Sequence, residues 1–131
     1  MDQKVGAFLG EYHAAIQATI RRDGSPHVAR IGVGLVDGRL WSSATQGRVR
    51  TQHLRRDPRC SLLVLGKDPW HWLGLDCRVR ILDGEDAPHL NLELYRVLAG
   101  EPDDVEEYLR AMVAEERLIY EFEILKSYGD H

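Results

Sequence analysis

Residues 14–44 read AAIQATIRRDGSPHVARIGVGLVDGRLWSSA, and the punctuation of this stretch decides the fold. In residues 14–22, Ile16, Ala18 and Ile20 alternate with Gln17 and Thr19. A period of two is the mark of a half-buried strand. Asp23-Gly24 is a tight-turn signal, and Pro26 opens a second run over residues 27–36. There Ala29, Ile31, Val33 and Leu35 face one way, with Arg30, Gly32 and Gly34 opposite. Asp37-Gly38 turns the chain again, into residues 39–44. Three antiparallel strands joined by short turns therefore open the domain. The two interior glycines mark a bulge or a close backbone approach.

Downstream the pattern changes at Thr45. Residues 45–56, TQGRVRTQHLRR, lose the alternation and contain good helix formers; Thr45 is the expected N-cap, and Asp57-Pro58 ends the helix. Residues 59–65 are apolar and β-prone, a fourth strand. After the breaker Gly66-Lys67-Asp68-Pro69, residues 70–82 form a fifth, in which Leu75, Cys77, Val79 and Ile81 alternate with Asp76, Arg78 and Arg80. Two helices follow. Leu90, Leu94, Val97 and Leu98 stripe the first, ended by Gly100, and Val105, Tyr108, Leu109 and Met112 stripe the second, opened by Pro102. Leu118, Tyr120, Phe122 and Ile124 alternate in a closing strand. The expected order is βββ–α–ββ–αα–β, an α+β domain dominated by antiparallel sheet. Six short strands with closely spaced turns point to a small barrel.

Length and composition bound the rest. A chain of 131 residues with 44% hydrophobic content supports one domain, residues 1–131, with a core that needs no disulfide or metal. No apolar run is long enough to span a bilayer, and residues 1–10 lack the apolar stretch of a signal peptide, so a cytoplasmic protein without membrane attachment is expected. Cys60 and Cys77, the two cysteines, lack CxxC spacing and read as small buried apolar residues. The net charge of −4 hides an asymmetry: residues 1–82 hold 13 Lys/Arg against 7 Asp/Glu, and residues 83–131 hold 4 against 14. A nucleic-acid binder is not organised this way. A compact site for a small anion in the basic part fits better.

Several chemistries are excluded by motif. There is no GxxxxGK[ST] loop, no GxGxxG after a strand, no HExxH and no GxSxG, and the six histidines show no metal-ligand spacing, so no metal is expected. The informative segment is residues 42–51, SSATQGRVRT, within the basic stretch 47–59. A chain leaving a strand into a helix presents free N–H groups at a positive dipole end, an anion-binding arrangement. Arg48 and Arg50 fall in the first turn, where positive charge costs roughly a few tenths of a kcal/mol. An anionic partner offsets that cost, and guanidinium suits phosphate or carboxylate. A solvated basic helix in contact with Asp57 or with the acidic C-terminal region explains the same charges. Arg55, Arg56 and Arg59 are expected at the surface or in salt bridges.

Three ordered segments add a family. Residues 20–28 (IRRDGSPHV), 40–51 (LWSSATQGRVRT) and 54–62 (LRRDPRCSL) resemble the pyridoxamine 5′-phosphate oxidase-like superfamily. They are similar in particular to its flavin/deazaflavin-dependent oxidoreductases, many of which use coenzyme F420. The resemblance implies a six-stranded split β-barrel of the FMN-binding type, with one helix after strand three and two before the last strand. It implies a homodimer with cofactor at the subunit interface, F420 as cofactor with FMN as the alternative, and hydride transfer to an unsaturated small organic substrate. Carried over residue by residue, it makes Ser43, Thr45, Arg48, Arg50 and Thr51 the cradle of the cofactor's phosphate and anionic tail. His27 and Arg30 match positions near the ring system, although smaller polar residues are commoner at the latter. Trp70, His71 and Trp72 fall where the partner subunit closes the substrate pocket; an aromatic cap on the barrel is the alternative. The end, residues 126–131 (KSYGDH), lacks the basic signature with which the oxidase itself holds its phosphorylated substrate. No acid, base or nucleophile is recognisable, which leaves a non-catalytic flavin, deazaflavin or haem carrier as a further alternative.

Overall fold

The computed structural model, which describes residues 1–131, holds one seven-stranded antiparallel sheet and four helices. In chain order these are α1 (Gln3–Glu11), β1 (Ala14–Ile20), β2 (Pro26–Gly32), β3 (Gly34–Val36), β4 (Arg39–Thr45), α2 (Val49–Arg56), β5 (Arg59–Leu65), β6 (Trp72–Leu82), α3 (Ala87–Ala99), α4 (Val105–Ala114) and β7 (Arg117–Tyr128). The expectation of six strands and three helices is corrected twice. The run 27–36 is two strands broken at Val33, and an N-terminal helix precedes β1.

The break at Val33 shapes the whole sheet. The strand order is β2-β1-β5-β6-β7-β4-β3, so β2 and β3 are the two outer strands. Only Val33 lies between them in the chain, and its amide bonds to the carbonyl of His13 instead of continuing a ladder. Edges tethered by one residue cannot stand apart, so the sheet curls into a half-barrel. Ser42 Oγ closes across the same corner, donating to the Gly32 carbonyl at 2.7 Å.

Both hairpin turns follow their sequence signals. Gly24 adopts φ +87° and donates to the Arg21 carbonyl, a three-residue loop ending in a left-handed glycine. Asp37 and Gly38 both have positive φ, 50° and 76°, the mirror-image turn whose twist matches the flanking strands. Gly34 marks a close approach. A β-carbon there would meet Leu98 Cδ2 at 3.1 Å and Val97 Cγ1 at 3.2 Å, where α3 presses on β3.

α1 carries a signal that the alternation of the strands overshadowed. Asp2 Oδ1 accepts from the amides of Lys4 (2.7 Å) and Val5 (3.3 Å), and Val5, Phe8 and Leu9 then bury one face at i, i+3, i+4 spacing. They join Leu54 of α2 and the inward residues of the sheet in the main core. α3 lies on the outside of the sheet, Leu94 packing with Val36, Trp41 and Ile119 in a second, smaller cluster.

The alternation in β1 is real, but its apolar face is not the buried one. Ala15, Gln17 and Thr19 point into the barrel and are at most 1% exposed, while Ile16, Ala18 and Ile20 lie half-buried on the outside. Thr19 is accommodated inside because His53 of α2 takes its hydroxyl, Oγ1 to Nδ1 at 2.9 Å. No helix is long and apolar enough to cross a membrane.

Candidate functional site

The corner where β4 hands the chain to α2 is built by three hydrogen bonds. The amide of Gln46 donates to the Glu116 carbonyl (3.1 Å), fixing the end of β4 to the turn before β7. Thr51 Oγ1 donates back to the Thr45 carbonyl at 2.8 Å and also meets the Tyr120 hydroxyl. Thr51 and Tyr120 are fully buried, so α2 is tied to both strands. Thr45 is not the N-cap. That position is Arg48, whose side chain offers no cap bond, because a guanidinium has only donors. The helix therefore begins with no side chain of the protein serving its first-turn amides.

Arg50 sits in the first turn, half-buried, with its guanidinium carbon 6.0 Å from the centroid of the Tyr120 ring. Its Nε is buried and has no hydrogen-bond partner. Buried donors without partners are rare and costly. Burial lowers the Arg50 pKa from its ordinary value; the Tyr120 hydroxyl opposes this, and the positive charges of Arg48 and Arg117 add to it. Tyr120 in turn is pushed up by burial. Neither Arg48 nor Arg50 forms a salt bridge, whereas Arg55 pairs with Asp83 (2.9 Å) and Arg59 with Asp57 (2.8 Å). Arg56 donates to the Ile20 carbonyl. The basic segment thus divides into arginines that are used at the surface and two that are not.

The other expected residues lie elsewhere. Ser43, on the outer face of β4, donates to Asn91 Oδ1 of α3, and Asn91 is anchored to the Ala87 carbonyl at 2.9 Å. His27 faces inward at the far end of α2, edge-on to His53 at 5.3 Å between centroids, with a buried and unpartnered Nδ1. Burial, then the nearby positive charges of His27, Arg56 and Arg21, lowers the His53 pKa. Arg30 is exposed on β2 beside a cavity of about 550 Å³ that His13, Gly32 and Leu98 also line. Trp70 stands 76% exposed on a turn that Asp68 nails down, Oδ1 accepting from the amides of Trp70 (2.9 Å) and His71 (3.1 Å) and bonding His71 Nδ1 (2.8 Å). Trp72 packs edge-on against Tyr128. Within one chain, then, Thr45, Arg48, Arg50 and Thr51 form one corner, and Ser43, His27, Arg30 and the Trp70–Trp72 turn stand apart from it.

Two residues of the corner escaped the sequence reading, Tyr120 and Arg117. Tyr120 was visible only as one more apolar position of an alternating strand, and Arg117 as the residue before it. Their use becomes apparent once β7 pairs with β4, setting Arg117 opposite Thr45. As a whole the corner gathers fixed positive charge, an uncapped helix start and an unused buried donor, the elements that favour a bound anion. No cluster of three or more His, Cys, Asp or Glu side chains is gathered to hold a metal ion.

Comparison with known proteins agrees with this architecture. Among solved structures, a conserved hypothetical protein of Mycobacterium tuberculosis superposes with a TM-score of 0.82 at 21% identity, covering 97% of this chain and 82% of that one. An F420 reductase gives 0.77 at 17% identity over 98% of both chains. A FAD-binding protein of Mesorhizobium loti gives 0.67 at 18% identity, covering 95% and 87%. At these identities the likeness is one of fold. The family model described as pyridoxamine 5′-phosphate oxidase matches residues 1–124, nearly the whole sequence. The chain belongs to the pyridoxamine 5′-phosphate oxidase family.

Proposed function

We propose that this protein is an F420-dependent reductase acting on an unsaturated small organic substrate, with the cofactor's phosphate held at the β4–α2 corner. One observation carries the reading: the buried, partnerless Nε of Arg50 beside an uncapped helix start. A phosphate oxygen satisfies both at once. Arg48 and Arg50 bind the anion, while Thr51 holds the corner in shape through Thr45 and Tyr120. When bound, the deazaflavin or flavin supplies hydride transfer, and the protein's part is orientation and electrostatics.

The second element of the proposal is a homodimer. Cross-strand neighbours Ile16, Leu63 and Gly74 run across the outside of β1, β5 and β6, with Val28 64%, Leu63 37% and Leu65 38% exposed around them. An apolar sheet face of this kind is an association surface. In the proposed dimer the Trp70–Trp72 turn of a second copy closes the substrate pocket, a role for a tryptophan that stands 76% exposed on a turn held by Asp68.

The test is a fluorescence-quenching titration with F420 and, separately, FMN. Micromolar F420 binding that disappears in Arg48→Ala/Arg50→Ala, with melting unchanged, is the expected result. Binding of FMN alone transfers the site to a flavin. Binding of neither, or affinity unaffected by the double substitution, overturns the assignment.

A further inference from the structure

The hydroxyl groups of the corner form a chain whose direction is fixed by counting protons. A threonine hydroxyl carries one hydrogen to donate and lone pairs with which to accept. Thr51 spends that hydrogen on the Thr45 carbonyl, at 2.8 Å. Its contact with the Tyr120 hydroxyl therefore has one polarity: Tyr120 donates and Thr51 accepts. The phenol has then used its own hydrogen, and its oxygen is left as an acceptor alone.

The group that faces this acceptor is Arg50, whose guanidinium carbon lies 6.0 Å from the Tyr120 ring centroid. Burial presses Arg50 toward its neutral form, and Tyr120 is the foremost neighbour acting against it. Ser42, opposite Tyr120 on β4, does not compete for the phenol oxygen, because its hydroxyl donates to the Gly32 carbonyl. Nor has the ring room to turn. It is fully buried between Ser42 and Ile81 of the neighbouring strands, edge-on to Phe122. A rigid, singly polarised oxygen thus stands beside the arginine whose Nε is buried without a partner.

Resting on the reading above, we propose that Tyr120 is a positioning residue for ligand binding: the one-way chain from Tyr120 through Thr51 to Thr45 turns the phenol oxygen to Arg50 and holds that guanidinium with Nε left for the anion. Reversing the chain has the opposite effect. Without the Thr51 hydroxyl the phenol hydrogen is released and turns toward Arg50, positive end against positive charge. Thr51→Val therefore harms the anion site more than Tyr120→Phe, which removes the oxygen but introduces no opposing dipole.

The test titrates the full chain with F420 and with its phosphate-free deazaflavin nucleoside, by fluorescence quenching, in wild type, Tyr120→Phe, Thr51→Val and Thr51→Ser. Hydrogen exchange of the Arg50 Nε–H is followed by NMR in the same proteins without ligand. Tyr120→Phe is expected to weaken F420 about tenfold, spare the nucleoside and speed exchange at Nε. Thr51→Val should weaken F420 further, and Thr51→Ser, which keeps the hydroxyl, should recover most of what the valine loses. Full F420 affinity in Tyr120→Phe, while Arg48→Ala/Arg50→Ala loses it, refutes the positioning role and leaves the cofactor site standing. An equal loss for F420 and nucleoside also refutes it, since Tyr120 then acts through the fold alone. With FMN bound in place of F420, the loss must fall on FMN and spare riboflavin for the role to stand. Binding of neither removes the cofactor reading, and exchange at Nε then decides alone: faster in Tyr120→Phe upholds the hold on Arg50, unchanged overturns it.

Discussion

The ring of Tyr128 occupies the space that a side chain at residue 74 would need. A β-carbon on Gly74 would come within 2.6 Å of Tyr128 Cδ2 and 2.7 Å of Cζ. Glycine is therefore required by packing, with no help from backbone freedom. The ring is held over the strand by a hydroxyl bond to Asp76 (3.2 Å) and edge-on contact with Trp72. Gly74→Ala should expel the ring and destabilise the fold by ~1–3 kcal/mol. Chemical denaturation measures it, and Tyr128→Ala in the same background should recover part of the loss.

The Thr51–Tyr120 contact locks α2 to β7 and predicts an asymmetry. Tyr120→Phe leaves Thr51 its bond to the Thr45 carbonyl and should cost about 1 kcal/mol. Thr51→Val strips both partners at once and strands a buried phenol, so a loss of ~1–3 kcal/mol is expected. Equal effects would show that the corner is not organised around the threonine.

Stability should fall in mild acid because of His53. Its folded pKa is held below the ordinary value of about 6.5 by burial and by His27, Arg56 and Arg21 around it. Below that ordinary value the unfolded chain takes up a proton that the folded one refuses, so stability is complete above about pH 6.5 and declines until the folded value is passed. Denaturation midpoints measured from pH 8 down to pH 5 test this. His53→Gln should flatten the decline over that window.

The two thiols should be inert in the native protein. Cys60 and Cys77 face each other across β5 and β6, 6% and 2% exposed. The contact with Cys60, followed by burial, pushes the Cys77 thiol above its usual range. Thiolate is the reactive form. Alkylation at pH 8 should therefore modify neither residue until denaturant is added, and rapid labelling of the folded chain would contradict the packing.

The outer apolar face predicts an assembly. Leu63→Asp places a charge amid Ile16 and Gly74 at the centre of that face, so sedimentation should show dimer for wild type and monomer for the variant. A wild-type monomer at tens of micromolar would remove the second subunit from the proposal.

Much of this architecture was legible in the residues, and the failures have physical causes. Asp23-Gly24 and Asp37-Gly38 announced their turns because positive φ selects few residue types. The apolar stripe of α3 found its sheet, and Arg55 and Arg59 found carboxylates, as charge and periodicity indicated. The inward face of β1 was hidden because Gln17 and Thr19 are polar: Thr19 is buried only by virtue of His53, 34 positions away. The outer residues Ile16, Ala18 and Ile20 mislead in reverse, since they are apolar yet only half-buried on the outside of the sheet. Thr45 looked like a cap, yet its carbonyl is engaged by Thr51 and the helix starts three residues later. Arg117 had no local signal at all, because its place at the corner exists only through pairing between strands far apart in sequence.

Val33 gives the barrel one further property. A row of unpaired strand amides is what lets a sheet recruit foreign chains, and here both margins belong to a single segment folded at that residue, its amide already taken by His13. A foreign strand laid along one margin therefore cannot run on into the other, because the bend at Val33 interrupts the row of amides where the chain has already spent one on itself.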